Sequence, residues 1–546
     1  MREIIYIQTG NVSNYIGTHF FNTCESYFTY DVDDKVKKMD QIDHNVSFRE
    51  GVAPGGQPTF CPRLLLFDEK ENFGALPKIN DLYSPELGDE IAAWGGDIGI
   101  NKQVPIEKSA YQRYLDEGED EDSDWFESND QLLHSVRYWS DFNRVYHIPR
   151  TLQPVPFVGT RDTNDPDCVT YWADGVTTFQ RECLDNDLMD GDFRRFVEEC
   201  DLLQGVQTTF DASKFASFTT SMIQLARECL PKTTALSFMV NCVQNSGLVN
   251  THDPTACRAM TNASLAMCAL EEYSDVNVPL LHPLVWRTGA WTRNLTYDSQ
   301  SLYHTTALLS SHLESATLPL RLKSPGAGLD LQALSCQLDT KFAHLTGIFP
   351  TPRVDALEKS DSDLSHDFSV EVSPQQITHS SRRSGVFAEW GVLRSTSLPL
   401  RDAIEDWIQK TVETRYPFVN MTRSDIEYPL PFSFPRLFNT SSLSADLHRS
   451  RHTSSHRSLD TVPIYSALRC SAALSSYFNQ HYKFIDTFIR GGTDLRFLNP
   501  DGDDGIGKDE LREVREAMLK LRDAFSTSDA FENEEAWDED GRYDIY

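Results

Sequence analysis

Residues 1–21 read Met1-Arg-Glu-Ile-Ile-Tyr-Ile-Gln8-Thr-Gly10-Asn11-Val-Ser-Asn14-Tyr-Ile-Gly17-Thr-His-Phe20-Phe21. Residues 3–8 carry the β-branched and aromatic types of a buried strand. Gly10 ends it. Ile16, Phe20 and Phe21 then recur at helical spacing. A strand, a glycine turn and a helix N-terminus make a site for phosphate, because backbone N–H groups and the helix dipole both face the anion.

The chain has 546 residues and a net charge of −32, from 50 Lys+Arg against 82 Asp+Glu. That length is enough for about two or three domains. So acidic a chain argues against nucleic acid, whose phosphates need a basic face. It argues equally against direct adhesion to anionic lipid. Acids crowd residues 116–127 and 529–546. The first run reads as a solvated insertion bounded by 114–130, the second as a tail that either solubilises the chain or recruits basic partners. The 11 cysteines include no C-x-x-C pair, which points to reduced thiols and away from disulfides or zinc. No apolar run approaches the roughly 20 residues of a transmembrane segment. The N-terminus begins as a strand, unlike an import presequence.

Cys61-Pro-Arg63-Leu-Leu-Leu-Phe-Asp68 reads as a second buried strand. Asp68 is either its solvated end or a group facing a ligand cleft, since open α/β sheets bind ligands at their carboxyl edge. Gly95-Gly96-Asp97-Ile98-Gly99 lacks the G-K-[ST] of a P-loop and reads as a turn. Asn499–Gly505 has the acids of a calcium loop, but its glycine and closing Glu fall at the wrong offsets. It reads as a turn before a helix over 509–525, striped by Leu511, Val514, Met518, Leu521 and Phe525. Residues 440–460, rich in Ser, His and Arg, read as a flexible loop without ligand spacing. No G-x-S-x-G, H-E-x-x-H or dinucleotide fingerprint occurs.

Met1, Arg2, Glu3, Ile4, Ile7, Gln8, Gly10, Asn14, Ile16, Gly17 and Phe20 together resemble the N-terminus of tubulin without a gap. Pro62-Arg63 ahead of the strand ending at Asp68, and Leu203-Gln204-Gly205, extend the resemblance. Tubulin has no counterpart of Trp139-Ser140-Asp141-Phe142. That run is similar to a motif of the Misato family, tubulin-like proteins required for mitochondrial distribution and inheritance. The chain resembles a fungal-type member of that family. The resemblance implies a tubulin/FtsZ-like α/β fold: a Rossmann-like parallel-sheet domain over 1–320, a core helix and α+β intermediate domain over 321–500, and a terminal helix and acidic tail over 501–546.

The same resemblance implies a vestigial nucleotide cleft formed by Gln8, Gly10, Asn11, Asn14, Gly17 and Asp68. Asn14 reads either as a guanine-edge contact or as a helix-start residue satisfying backbone N–H groups. Tubulin's glycine-rich phosphate loop corresponds to Phe210-Asp211-Ala-Ser-Lys214-Phe215-Ala-Ser217, and no glycine lies between Gly205 and Gly247. Glycine lets a backbone approach phosphate closely, and Lys214 alone does not replace that cradle. Asp174 in Tyr171-Trp172-Ala-Asp174-Gly175 stands where tubulin has Arg, ahead of a helix expected over about 186–200. Gly328–Gln337 resembles tubulin's base-binding helix, with Gly328 and Gln332 in place of the stacking Tyr and base-reading Asn. Asp330 as N-cap and a Leu331, Leu334, Leu338 stripe explain this helix as core packing. Gly347–Asp355 does not keep the loop that completes a GTPase site in polymers.

The implied function is a non-catalytic role in mitochondrial distribution, morphology and inheritance of mitochondrial DNA. Its rivals are a self-assembling GTPase and an accessory factor for tubulin folding or cytoskeletal assembly. No catalytic residue, metal or obligatory cofactor is expected, with GTP or GDP the nucleotide such a cleft would retain. Expected partners are proteins: cytoskeletal, chaperonin or mitochondrial-surface. The expected location is the cytosolic face of the mitochondrial outer membrane, held peripherally, and the cytoplasm.

Overall fold

The computed structural model describes residues 2–28, 41–52, 56, 58–78, 80, 106–117, 135–156, 169–241, 253–286, 288–292, 295–323, 329–349, 365–370, 386–411, 419–438, 460–491, 495–499 and 506–526. The Gly95–Gly99 turn, residues 118–130 of the acidic insertion, Gly328, residues 350–355, the loop 440–459, the turn 501–505 and the acidic tail lie outside them.

The opening stretch forms β1 (Glu3–Thr9) and α1 (Asn11–Glu25), joined by Gly10 at φ 103°. β2 (Phe48–Val52) and β3 (Pro58–Pro62) pair as a hairpin ahead of β4 (Leu64–Asp68). Then come α2 (Ala110–Glu117), β5 (Leu152–Pro154), α3 (Trp172–Asp185), β6 (Leu203–Asp211), α4 (Ala216–Cys229), β7 (Thr234–Asn241), α5 (Pro254–Tyr273) and β8 (Val276–Leu281). The first sheet has six strands in the order β5-β4-β1-β6-β7-β8, and every neighbouring pair is parallel. A parallel sheet is covered on both faces, so its strands read as apolar runs. Ile5, Ile7, Leu65 and Phe67 pack with Phe179, Phe218 and Met222 on one face. Ile4, Tyr6, Leu64 and Leu66 pack with Ile16, Phe20 and Phe21 on the other.

α6 (Leu302–Thr317) is buried along nearly its whole length. It packs on α1 and on the second sheet, and so joins the two halves of the molecule. α7 (Leu331–Leu338) and β9 (His344–Ile348) follow, then β10 (His366–Asp367), β11 (Val386–Arg394), α8 (Leu398–Thr411), β12 (Val419–Ser424), β13 (Tyr428–Leu430), β14 (Asp460–Val462) and β15 (Ile464–Ser471). The second sheet is mixed, in the order β10-β9-β15-β11-β12, with only β11 and β12 parallel. α9 (Ala473–Arg490) and α10 (Lys508–Ala524) close the described chain by packing together on α5. Leu511, Val514, Met518 and Leu521 of the expected stripe are the buried face of α10. Among the described residues no helix is long and apolar enough to cross a membrane.

The helix opened at Trp172 ends at Asp185, and Asp187 takes a left-handed φ of 52°. The helix expected over about 186–200 runs from Leu188 to Glu198, its first part a wide π turn (Leu188–Phe193) that continues into a short α-helical turn (Arg194–Glu198). α7 starts as expected, with the Asp330 carboxylate accepting from Ala333 N at 2.8 Å and Leu331, Leu334 and Leu338 buried. It is only 8 residues long and packs on β6, β7 and β11. The helix that runs beside α1 is α6, over 302–317.

Candidate functional site

The carboxyl ends of β1, β4 and β6 converge on the start of α1. There the chain's own carboxylate occupies the first N–H groups of the helix. Asp211, the last residue of β6, accepts from Val12 N and Ser13 N at 2.9 Å each and from Ser13 Oγ at 2.6 Å. A Cβ on Gly10 would lie 2.5 Å from Asp211 Oδ2. Glycine is therefore required twice, for the positive φ and for the carboxylate's close approach. The loss of glycines after β6 thus accompanies a gain, because one of the replacing residues supplies the anion. Burial pushes the Asp211 carboxyl up to about 6, opposed by the Ser13 hydroxyl and the two backbone N–H groups. At neutral pH it is mainly ionised and complements the helix dipole. A nucleotide phosphate brought to this helix start would meet a buried carboxylate at van der Waals distance. The residues present do not fit a triphosphate there.

Asp68, at the end of β4, is the second centre. It accepts from Asn14 Nδ2 (2.8 Å), Trp139 Nε1 (3.1 Å), Asn72 Nδ2 (2.7 Å) and Glu69 N (2.8 Å). Burial pushes its carboxyl up to about 7. Asn72, Asn14 and the Glu69 N–H oppose that shift, and the charge on Asp211 adds to it. Asn14 Nδ2 also donates to Phe67 O at 3.0 Å. The Asn14 amide thereby ties α1 to the end of β4. Lys214, the one cation of the altered loop, pairs with Glu69 at 2.7 Å.

The Trp139–Phe142 motif forms a single 3-10 turn, buried at all four positions. Asp141 folds it, accepting from Arg137 N (2.8 Å) and Tyr138 N (3.2 Å). Trp139 reaches Asp68 and packs edge-on against Phe73. Phe142 stacks on His19 with ring centroids 4.4 Å apart and lies 4.9 Å from Tyr303, the second residue of α6. Asn22 clasps the turn, donating to Phe142 O at 2.8 Å and accepting from Arg144 N at 3.0 Å. Asn14, Tyr15, His19 and Asn22 lie along one face of α1, and the motif covers that face.

Gly10, Asn14 and Asp68 share one cluster with the motif, a juxtaposition that the sequence did not suggest. Gln8 and Gly17 stand a layer deeper. A Cβ on Gly17 would sit 2.0 Å from Gln8 Nε2, so this pair serves the packing of α1 on β1. Asn11 is half-buried at the helix start. Sequence reasoning missed Asp211, His19 and Tyr303 as members. The signal for Asp211 was present: an acid at the strand end that faces a helix N-terminus. His19 and Tyr303 gave none, being single ring positions in helices whose polar and apolar residues are intermixed.

Among the described residues no three His, Cys, Asp or Glu side chains are grouped to hold a metal. Ser471 Oγ lies 2.7 Å from His344 Nε2, and His344 Nδ1 lies 2.7 Å from Asp367 Oδ2. That order of groups resembles a hydrolytic triad, but the serine oxygen also accepts from Ala473 N at the start of α9 (3.2 Å). Asp367 in turn caps Ser369 N and Val370 N. The carboxylate is the more exposed end, at 17% against 6% for the imidazole. The arrangement stitches β10, β9 and β15 together.

A six-stranded parallel sheet, a core helix and a second mixed sheet define a tubulin-like protein. Residues 2–117 match the Misato Segment II tubulin-like domain, and residues 130–322 match the tubulin domain. Protein DML1 of Phaeosphaeria nodorum is 34% identical over 395 residues, 70% of this chain and 71% of that protein. Protein DML1 of Gibberella zeae is 38% identical over 325 residues, 59% of this chain and 61% of that protein. The dml1 protein of Aspergillus oryzae is 32% identical over 328 residues, 59% and 62% of the two chains. The chain thus aligns with less than two thirds of the length of the Gibberella and Aspergillus proteins. It belongs to the Misato (DML1) family of tubulin-like proteins.

Proposed function

We propose that this chain is a nucleotide-independent, non-catalytic relative of tubulin that acts through protein partners in mitochondrial distribution, morphology and inheritance of mitochondrial DNA. It works peripherally, at the cytosolic face of the outer membrane and in the cytoplasm. The cleft residues Gln8, Gly10, Asn11, Asn14, Gly17 and Asp68 are retained as framework. The observation that carries the proposal is the Asp211 carboxylate seated on the first N–H groups of α1. It supplies internally the charge that a nucleotide would bring, and counts against the rival reading as a GTPase. The mitochondrial part rests on membership of the family and on the role the Misato resemblance implies. Depleting the protein in its own host tests it. Mitochondria and their DNA should partition unevenly while microtubules assemble normally. Evenly inherited mitochondria with defective microtubules would overturn the proposal in favour of a tubulin-folding role.

A further inference from the structure

The cleft has a second end, and its chemistry is distinct from that of the anion site. His19 from α1 and Tyr303 from α6 face each other, and the His19 Nε2–H donates to Tyr303 O at 3.0 Å. That bond fixes the imidazole plane. Burial holds the ring neutral, with its pKa down to about 3. Tyr15 adds a third wall, its ring 5.6 Å from Phe142. Into this space goes the Phe142 ring, near-parallel to His19 at 27° and fully buried. His19 stacks on the Phe142 ring, and the Tyr15 and Tyr303 phenols meet it tilted, at 44° and 60°, ring–ring contacts that an aliphatic side chain would not make. His19 lies six helical steps beyond Ser13, about 9 Å further along α1 at 1.5 Å per residue. One helix therefore offers an anion end and, further along, a ring end.

We propose that His19, Tyr303 and Tyr15 form a binding seat for a planar aromatic ring, and that Phe142 of the Trp139–Phe142 motif is its built-in occupant. This deepens the nucleotide-independent reading and rests on it: Asp211 fills the anion end and Phe142 the ring end. The motif's role is then to be the ligand of the cleft. Trp139 holds it in register through Asp68, and Asn22 holds its main chain.

The test uses the full chain with Phe142→Ala and follows thermal unfolding with indole, a flat ring, or cyclohexanol, a puckered one. The unfolding midpoint should fall in the variant and recover with indole but not with cyclohexanol, while neither moves the unaltered chain. Equal recovery with both probes, or with neither, would overturn the seat, since an ordinary apolar hole does not choose flat rings. Should Phe142→Ala fail to fold, Phe142→Leu keeps most of the buried volume. The ring protons of His19 should then move downfield in its NMR spectrum as the stacked ring is lost, and unchanged shifts would overturn the stacking. No arm uses nucleotide. Binding of GTP by the unaltered chain would instead sink the nucleotide-independent reading.

Discussion

Glu314→Gln is the substitution whose cost the structure fixes most firmly. Glu314 lies in α6 with no exposed side-chain surface, between Arg321 and Arg394, which are 2% and 0% exposed. Its Oε1 accepts from Arg321 Nη2 at 2.5 Å and from Tyr27 OH at 3.0 Å. Its Oε2 accepts from Arg394 Nη1 at 2.6 Å. Arg394 also donates to Tyr27 OH (2.8 Å), Ile426 O (2.8 Å) and Glu427 O (2.9 Å). The network thus ties the end of α1, the core helix and β11 of the second sheet. Replacing the carboxylate by an amide keeps the shape but leaves two buried guanidinium groups without a counter-charge. Breaking a buried ion pair from one side costs about 3–5 kcal/mol. Against a total stability of about 5–15 kcal/mol, that is a large fraction. Urea unfolding followed by circular dichroism measures it. The midpoint should fall with an unchanged slope, because the surface exposed on unfolding stays the same. A loss below about 1 kcal/mol, the size of an ordinary neutral hydrogen bond, would refute the claim that this charge is buried and shared.

Asp211→Ala leaves the Val12 and Ser13 N–H groups without their acceptor and should cost about 1–2 kcal/mol below about pH 6, and less as pH rises and the buried carboxylate ionises. Sulfate should then raise the thermal midpoint of the variant more than that of the unaltered chain. Gly17→Ala drives a Cβ into Gln8 and should destabilise by about 1–3 kcal/mol, read by the same unfolding assay. The pH dependence follows from Asp68 and Asp211, whose carboxyls burial pushes up to about 7 and about 6. Raised pKa values mean that the folded state holds protons the unfolded chain has released. Their contribution is therefore full below about pH 4 and is lost as pH rises towards 7, with a slope of at most about 1.4 kcal/mol per pH unit per group. Asp68→Asn should flatten that slope, and an unchanged slope would show that Asp68 titrates normally.

The opening stretch revealed the fold because its pattern is local. The apolar run of β1, Gly10 and the α1 spacing all follow from neighbouring residues, and a parallel sheet must be covered on both faces. The terminal helix was legible for the same reason, since its stripe from Leu511 to Leu521 repeats at helical spacing. The long buried helix over 302–317 was not. α6 is buried on every side, so its Ser, Thr and His residues show no amphipathic stripe, and the shorter, capped α7 carried the stronger signal. The π turn at Leu188–Phe193 depends on a left-handed Asp187 that nothing in its neighbours demands. At the site, sequence reasoning registered the missing glycines after β6, but their meaning needed a contact between residues 13 and 211. Such contacts are set by the register of β1 on β6, which composition and periodicity do not encode.

The most direct test of a self-filled cleft is the nucleotide content and affinity of the full chain purified from its own host. Native mass measurement and titration with a fluorescent GTP analogue should find no bound guanine nucleotide and no saturable binding, with Asp211→Asn equally inert because Phe142 still fills the ring seat. Stoichiometric GTP or GDP in the purified chain, or micromolar binding that Asp211→Asn strengthens, would contradict the account.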